Sequence, residues 1–442
     1  MSDSLTSEPP VNVAPSVQRI SSAGVLGEFA YDVDFEHSTG LSTRVKVIYA
    51  ENGMGKTNFL KAVHHLLNPR LESLQALAEL FVEDLSVKLT SGVAVSLERS
   101  LDPDILFVCA IHYPGDESSP TRVQVRQEDV DARVGRTAIT SPRLSAYFNE
   151  LRSLVSPTIL IGDDRVVHAS VRGPQVRPRR VIESEREAAR ARGRTSQNVR
   201  DALDMVERFF SRTAFAAISR DQSLSGDGIY VEIARRVLAG NHKDLLASEA
   251  RASLVALSNS LLVNAPDYEK YGLMSFQQVR RINDQFASVR ANNRNFGALQ
   301  TILEPYLTSI SDNVTALAPA HKLIDTFVTS VNSFLERKHL TFSTAEGIRL
   351  VGKSGEELEP DNLSSGEKHL LLLLSNAVLA RTSNALLIID EPELSLGLRW
   401  QRQLLTELLR CTDGSGVQFL VASHSVQVMG DIDDVVRPTE VN

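Results

Sequence analysis

AENGMGKT at residues 50–57 decides the reading of this chain. It follows a short apolar run, Val45, Val47 and Ile48, and precedes NFLKAVHHLLN, where Leu60, Val63, Leu66 and Leu67 recur at helical spacing. Strand, glycine-bearing loop and helix, in that order, are the setting of a phosphate-binding loop. Gly53 and Gly55 permit a tight backbone turn. The N–H groups from Asn52 to Lys56 can wrap a β-phosphate, and the helix N-terminus favours its negative charge. Lys56 can reach the β- and γ-phosphates, and the Thr57 hydroxyl can serve Mg²⁺. The pattern G-x-x-x-x-G-K-[ST] is met everywhere except at Ala50, which replaces the first glycine. An ordinary glycine turn before a helix is the competing reading.

Three later segments bear on the same chemistry. LLIIDEPE at residues 386–393 is an apolar run ending in two acids, as suits a strand that delivers Asp390 to Mg²⁺ and Glu391 to an attacking water. LSSGEKHLLLLLSNAVLA, from Leu363, places Ser364, Ser365 and Gly366 at the start of a helix, with hydroxyls and free N–H groups beyond its end. Taken alone this is also a plain N-cap with Glu367 in the first turn. VQFLVASHS reads as a strand ending at His424, 33 residues past Glu391. A lone histidine there is usually structural, so its place in the series matters more than its type.

The rest of the chain bounds the answer. At 442 residues there is room for a large head domain and a sizeable insertion. The net charge of −8 excludes a polybasic nucleic-acid coat, so any nucleic-acid contact must be local. Cys109 and Cys411 are far apart and in no metal-ligand spacing, which favours a reducing cytoplasm. Residues 1–16 lack the basic start and apolar core of a signal peptide and read as a disordered tail. The longest apolar run, from Leu370, falls short of the roughly 20 residues a membrane span requires, so no membrane partner is expected. Phe29, Tyr31, Val33 and Phe35 alternate as in a strand, and LSVKLT, VAVSLERS and ILFVCAIHY read as further strands. From about Glu183 the pattern turns helical, with Val199, Leu203, Val206 and Phe210 on one face and helical stretches at 240–262, 274–305 and 318–338. LTFSTAEGIRLVG returns to strand. The head is thus read as two lobes, 17–165 and 339–442, around a mainly helical insertion at 166–338.

The order P-loop, LSSGE, DEPE, SHS resembles the ABC ATPase superfamily, in which signature loop, Walker B, D-loop and H-loop follow the P-loop in this way. LSSGEKHLLLLL and DEPELSL are most similar to the RecF, SMC and OLD (overcoming-lysogenization-defect) branch, which includes stand-alone ATPases of phage-defence systems. The resemblance covers about residues 17–100 and 340–430. It implies an α/β fold, an ABC ATPase head of mixed sheet and helices split by the insertion. It implies ATP held by Glu51, Asn52, Gly53, Met54, Gly55, Lys56, Thr57 and Asn58, with Mg²⁺ on Thr57 and Asp390. Glu391 becomes the hydrolytic carboxylate and His424 the γ-phosphate sensor. Ser364, Ser365, Gly366 and Glu367 become the signature that closes on ATP in a second subunit, with Leu394 and Ser395 in the D-loop. Three points depart from the pattern. Ala50 replaces a glycine; Gly397 stands where relatives often carry histidine; and the Q-loop is open between Gln127 and the GDDR segment around Asp164 and Arg165.

The resemblance implies an ATPase (ATP + H2O to ADP + phosphate) that forms a homodimer or higher homo-oligomer through ATP-sandwiched heads. No metal-binding carboxylate cluster or HNH-like pattern marks a nuclease within the chain, and the segment after His424 is too short for one. The expected role is therefore control of a partner effector, such as a nuclease or toxin, in anti-phage defence. A RecF-like DNA-repair ATPase is the alternative. A transporter subunit fits less well with the large insertion and the basic segment. From Arg165 to Arg200 there are ten arginines against three glutamates, a local charge near +7. Such a stretch suits DNA phosphates or an acidic protein, or is a solvated loop. The absence of aromatics there speaks against base stacking.

Overall fold

The run LLIID at Leu386–Asp390 is buried at every position, as a strand covered on both faces must be. In the computed structural model, which describes residues 15–36, 43–131, 141–163, 166–169, 184–220, 226–238, 247–289, 295–430 and 435–441, this strand is central to a mostly parallel sheet. It pairs in parallel with Thr158–Ile161 on one side and Gln418–Ser423 on the other. Gln418–Ser423 pairs in turn with Val45–Tyr49, and that strand with Val435–Val436. Val167–Ala169 closes the far edge in antiparallel fashion. The register aligns the strand ends: Asp390 lies opposite Ala422, and Ser423 opposite Tyr49. The P-loop, the DEPE turn and the SHS turn therefore all leave the sheet at its carboxyl edge, where open α/β sheets bind ligands.

A second, antiparallel sheet holds, among the described residues, seven strands in the order Thr439–Glu440, Phe29–Asp34, Val17–Val25, Asp84–Leu89, Ala94–Arg99, Phe107–Tyr113 and Asp116–Val125. Tyr31, Val33 and Phe35 point into its core, matching the alternation of the sequence. The helix Lys56–Leu66 lies against strands of both sheets. Its Phe59, Leu60, Val63 and Leu66, with Leu67 beyond, are buried in the shared core. Burial on opposite faces by two sheets fixes the axis of this helix, and with it the loop at its N-terminus.

These elements belong to one compact unit, Met1–Arg200 with Leu363–Asn442; a second comprises Asp201–Asn362. The second unit contains most of the expected helices. The sequence reading places the insertion at 166–338, whereas the unit runs to Asn362 and takes in the small sheet of Lys338–Ser343, Gly347–Gly352 and Glu357–Leu358. Phe210 sits edge-on to Phe327 and Phe342, 5.5 and 5.4 Å between centroids, so the sheet is part of this core. The single helical stretch expected at 274–305 is instead broken: one helix ends at Ser288, Val289 is extended, and the next begins at Phe296. That next helix, Phe296–Phe334, runs through Pro305 and Pro319 and joins what the sequence suggests are separate helices. Residues 1–14 of the expected tail lie outside the described residues.

Among the described residues no helix is long and apolar enough to cross a membrane. Truncating Ile388, wholly buried in the central strand, to alanine should lower unfolding free energy by about 2–5 kcal/mol. Phe81→Ala, at a site 73% exposed, should change it by less than about 0.5 kcal/mol. Urea denaturation of the two variants checks the contrast.

Candidate functional site

Gly53 and Gly55 both adopt left-handed φ, +90° and +80°. At Gly55 a side chain is also sterically excluded, since a Cβ would stand 2.6 Å from Val25 Cγ1. The positive-φ non-glycine residues among those described are Leu26, Asn384, Glu391 and Ser395. Ala50 is not one of them, and its buried methyl fits ordinary backbone. The missing first glycine therefore costs the loop nothing conformationally. No side chain caps the helix that starts at Lys56. Lys56 is buried, and its Nζ donates to the carbonyls of Ala50 at 2.6 Å and Glu51 at 3.1 Å, folded over the loop it would share with a phosphate. The Tyr31 hydroxyl donates to the Met54 carbonyl while its ring stacks on Phe59 at 4.5 Å, tying the loop to the antiparallel sheet.

Thr57 Oγ1 donates to Asp390 Oδ2 at 2.6 Å, bringing together residues 333 positions apart. Asp390 is buried, and its other oxygen, Oδ1, has no hydrogen-bond partner. Burial pushes its carboxyl up to about 6; the Thr57 bond opposes that shift, and the nearby Asp163 and Glu391 add to it. An orphaned, buried carboxylate oxygen beside a hydroxyl is costly unless a cation completes it, and hard oxygen donors fit Mg²⁺. Among the described residues no cluster of three or more His, Cys, Asp or Glu forms a metal cage by itself. Mg²⁺ on Thr57 and Asp390 would take its other ligands from phosphate and water.

Glu391 follows with φ +48°, and its N–H donates to the Ala422 carbonyl at 2.9 Å. This left-handed step turns the chain so that Glu391 Oε1 lies 3.6 Å from His424 Nδ1. The structure also reveals a residue to which the sequence reading gave no role. Glu393, buried, directs Oε1 at Ser423 Oγ (2.6 Å) and at the N–H groups of His424 (2.9 Å) and Ser425 (3.1 Å). The signal for it is the second glutamate of DEPE, hidden because a residue three past the strand end looks like part of a solvated turn.

Ser364 caps the helix Ser365–Ala380 in a full capping box: its Oγ accepts from the Glu367 N–H at 3.3 Å, and Glu367 Oε2 accepts from the Ser364 N–H at 2.6 Å. A Cβ on Gly366 would meet the Ser395 carbonyl oxygen at 2.6 Å, so glycine lets this helix pack on the D-loop. His369 Nε2 lies 3.2 Å from the Pro392 carbonyl, a second link between signature helix and DEPE turn. Gly162 and Asp163 leave the strand paired directly with Leu386–Asp390, while Gln127 begins a short helix, Gln127–Asp131, that follows the antiparallel sheet. Asp164 and Arg165 lie outside the described residues, as do residues 170–183 of the basic segment Arg165–Arg200.

A sequence-family profile described as "AAA domain, putative AbiEii toxin, Type IV TA system" matches residues 198–430. That span contains the signature, the DEPE turn and His424 but not the P-loop. No curated protein matches the sequence. Among solved structures, the chain is similar to the Smc head domain with an extended coiled coil, bound to the C-terminal domain of ScpA, from Pyrococcus furiosus. Identity is 13%, coverage 97% of this chain and 96% of that one, and TM-score 0.39. It is also similar to the SMC head domain from Thermotoga maritima, at 11% identity, 96% and 99% coverage and TM-score 0.33.

The raised Asp390 carboxyl has a consequence for stability. Because its folded value, about 6, lies above the ordinary 3.8, ionising it opposes folding. That cost is fully present above pH 6 and is relieved as pH falls toward 4. Without metal, Asp390→Asn should therefore be about 2–3 kcal/mol more stable than wild type at pH 8, with the gap closing below pH 6. Urea melts in EDTA across this range test it, and a pH-independent gap would contradict it. Added Mg²⁺ at pH 8 should narrow the gap by stabilising the wild type.

Proposed function

Since the chain belongs to the AAA-domain family that matches residues 198–430, we propose that it binds Mg²⁺-ATP and hydrolyses it as an ABC-type switch. The contact between Thr57 and Asp390, with Asp390 Oδ1 left orphaned, carries this reading. Glu51 to Asn58 surround the phosphates: backbone N–H groups take the β-phosphate, and Lys56 exchanges its loop carbonyls for phosphate oxygens. Mg²⁺, when bound, would neutralise charge on the phosphates. Glu391 orients and polarises the attacking water, and His424 contacts the γ-phosphate.

The signature Ser364–Glu367 acts in trans on ATP held by a second copy, giving a homodimer or larger ring of heads. The family's description names a toxin of a type IV system. That fits a cytoplasmic ATPase that holds and releases an effector, a nuclease or toxin, in anti-phage defence. The arginines between Arg165 and Arg200 favour a second reading, a RecF-like ATPase on DNA.

Two variants separate binding from chemistry. Lys56→Ala should weaken nucleotide binding about tenfold or more, whereas Glu391→Gln should bind normally and turn over about 10²-fold or more slower. Fluorescent-nucleotide titration with phosphate release reads both, and wild-type turnover in Glu391→Gln would end the assignment.

Sharing of sites between copies is tested by mixing. Ser364→Arg alone and Lys56→Ala alone should both be inactive. Mixed pairs of the two should regain activity, because one composite site then stays intact. No recovery in a sample with demonstrated mixed pairs would exclude sites in trans.

A further inference from the structure

Glu393 is buried, yet it lies beside the two groups assigned to hydrolysis. Three donors converge on its Oε1: the Ser423 hydroxyl and the backbone N–H groups of His424 and Ser425. The same oxygen is 3.3 Å from His424 Nδ1, closer than Glu391 Oε1 at 3.6 Å. Its second oxygen, Oε2, is buried without a hydrogen-bond partner. A turn that only had to stay folded would not need a carboxyl group here, because an uncompensated buried oxygen costs stability.

What the carboxyl group adds is direction. Bonds to successive N–H groups fix the peptide planes on both sides of His424, so the ring leaves a backbone that cannot swivel. A proton on Nδ1 directed at this oxygen, 3.3 Å away, would hold the ring's rotation and leave Nε2 to meet a ligand. The opposite side of the turn is braced as well. Ser425 Oγ donates to Gln401 Oε1 at 2.7 Å, and Gln401 Nε2 donates to the Leu396 carbonyl at 2.8 Å. Glu393 is thus where the Walker B turn grips the histidine turn, one residue after Pro392, whose carbonyl meets His369 of the signature helix.

We propose that Glu393 is a positioning residue for hydrolysis: through Oε1 it aims the His424 ring at the reacting phosphate, and so governs turnover rather than nucleotide affinity. This rests on the hydrolytic reading above.

The test is a double-mutant cycle on the full chain, read as kcat, KM and nucleotide Kd. Glu393→Ala should lower kcat about tenfold or more with Kd within about twofold of wild type, and His424→Ala should do the same. If Glu393 acts through His424, the double variant is no slower than the slower single one; a merely structural role would multiply the two losses. Glu393→Gln, whose amide oxygen can accept the same three bonds, should turn over at least about fivefold faster than Glu393→Ala. Should Glu393→Ala not yield folded protein, Glu393→Asp withdraws the acceptor by one methylene and carries the same expectation of reduced kcat at unchanged Kd.

Wild-type kcat in Glu393→Ala or Glu393→Asp, multiplicative losses in the cycle, or Glu393→Gln as slow as Glu393→Ala would each overturn the proposal. Lys56→Ala and Glu391→Gln run alongside. If they hydrolyse ATP like wild type, the hydrolytic reading itself falls; if they fail while Glu393→Ala does not, only the positioning role falls.

Discussion

Parallel pairing of Leu386–Asp390 between Thr158–Ile161 and Gln418–Ser423 is the constraint on which the site depends. Side chains alternate along a strand, so a slip of one residue would turn Asp390 away from Thr57 and expose an apolar residue in its place. The continuous burial of all five positions resists such a slip. The aligned carboxyl ends then gather a P-loop from residues 50–57 and two turns from beyond residue 390, although most of the chain lies between them. The bond from Thr57 to Asp390 is the product of that register rather than its cause, for one net hydrogen bond of about 1 kcal/mol could not order two sheets.

Around this edge the DEPE turn works as a hub. Asp390 faces Thr57, Glu391 turns by its left-handed φ toward His424, Pro392 meets His369 and Glu393 holds the histidine turn. Four consecutive residues thus reach Thr57 after the glycine loop, His369 of the helix Ser365–Ala380 and the turn around His424. Gly366 lets the helix Ser365–Ala380 approach the Ser395 carbonyl where any larger residue would clash.

Much of this was legible in the sequence. The strand–loop–helix setting of AENGMGKT, the apolar LLIID and the order of the four motifs identified the fold and paired Thr57 with Asp390. The alternation of Tyr31, Val33 and Phe35 pointed to a buried strand face that the structure bears out. What stayed hidden depends on three dimensions. Whether Ala50 could replace glycine turns on its φ, and whether Gly55 could carry a side chain turns on Val25. Glu393 carries little signal in the sequence, because polar residues in turns are usually solvated, whereas in three dimensions it is buried and bonded to Ser423–Ser425. The helix Phe296–Phe334 crosses the gap that the sequence pattern leaves between 305 and 318, because Leu307, Ile310 and Leu317 are buried along it in three dimensions.

The discontinuous head also governs how the protein is made. Among the described residues, Val45–Tyr49 finds its sheet partners in Gln418–Ser423 and Val435–Val436, far along the chain. On a ribosome adding about 5–20 residues per second, that strand and the P-loop behind it wait on the order of tens of seconds before any partner exists. The Asp201–Asn362 unit, contiguous in sequence, emerges within that interval and can fold on its own schedule. An apolar strand with both edges open is a template for mispairing throughout the wait. The antiparallel strands between Val17 and Val125, which pack on the same helix Lys56–Leu66, are made early enough to shield it in the meantime.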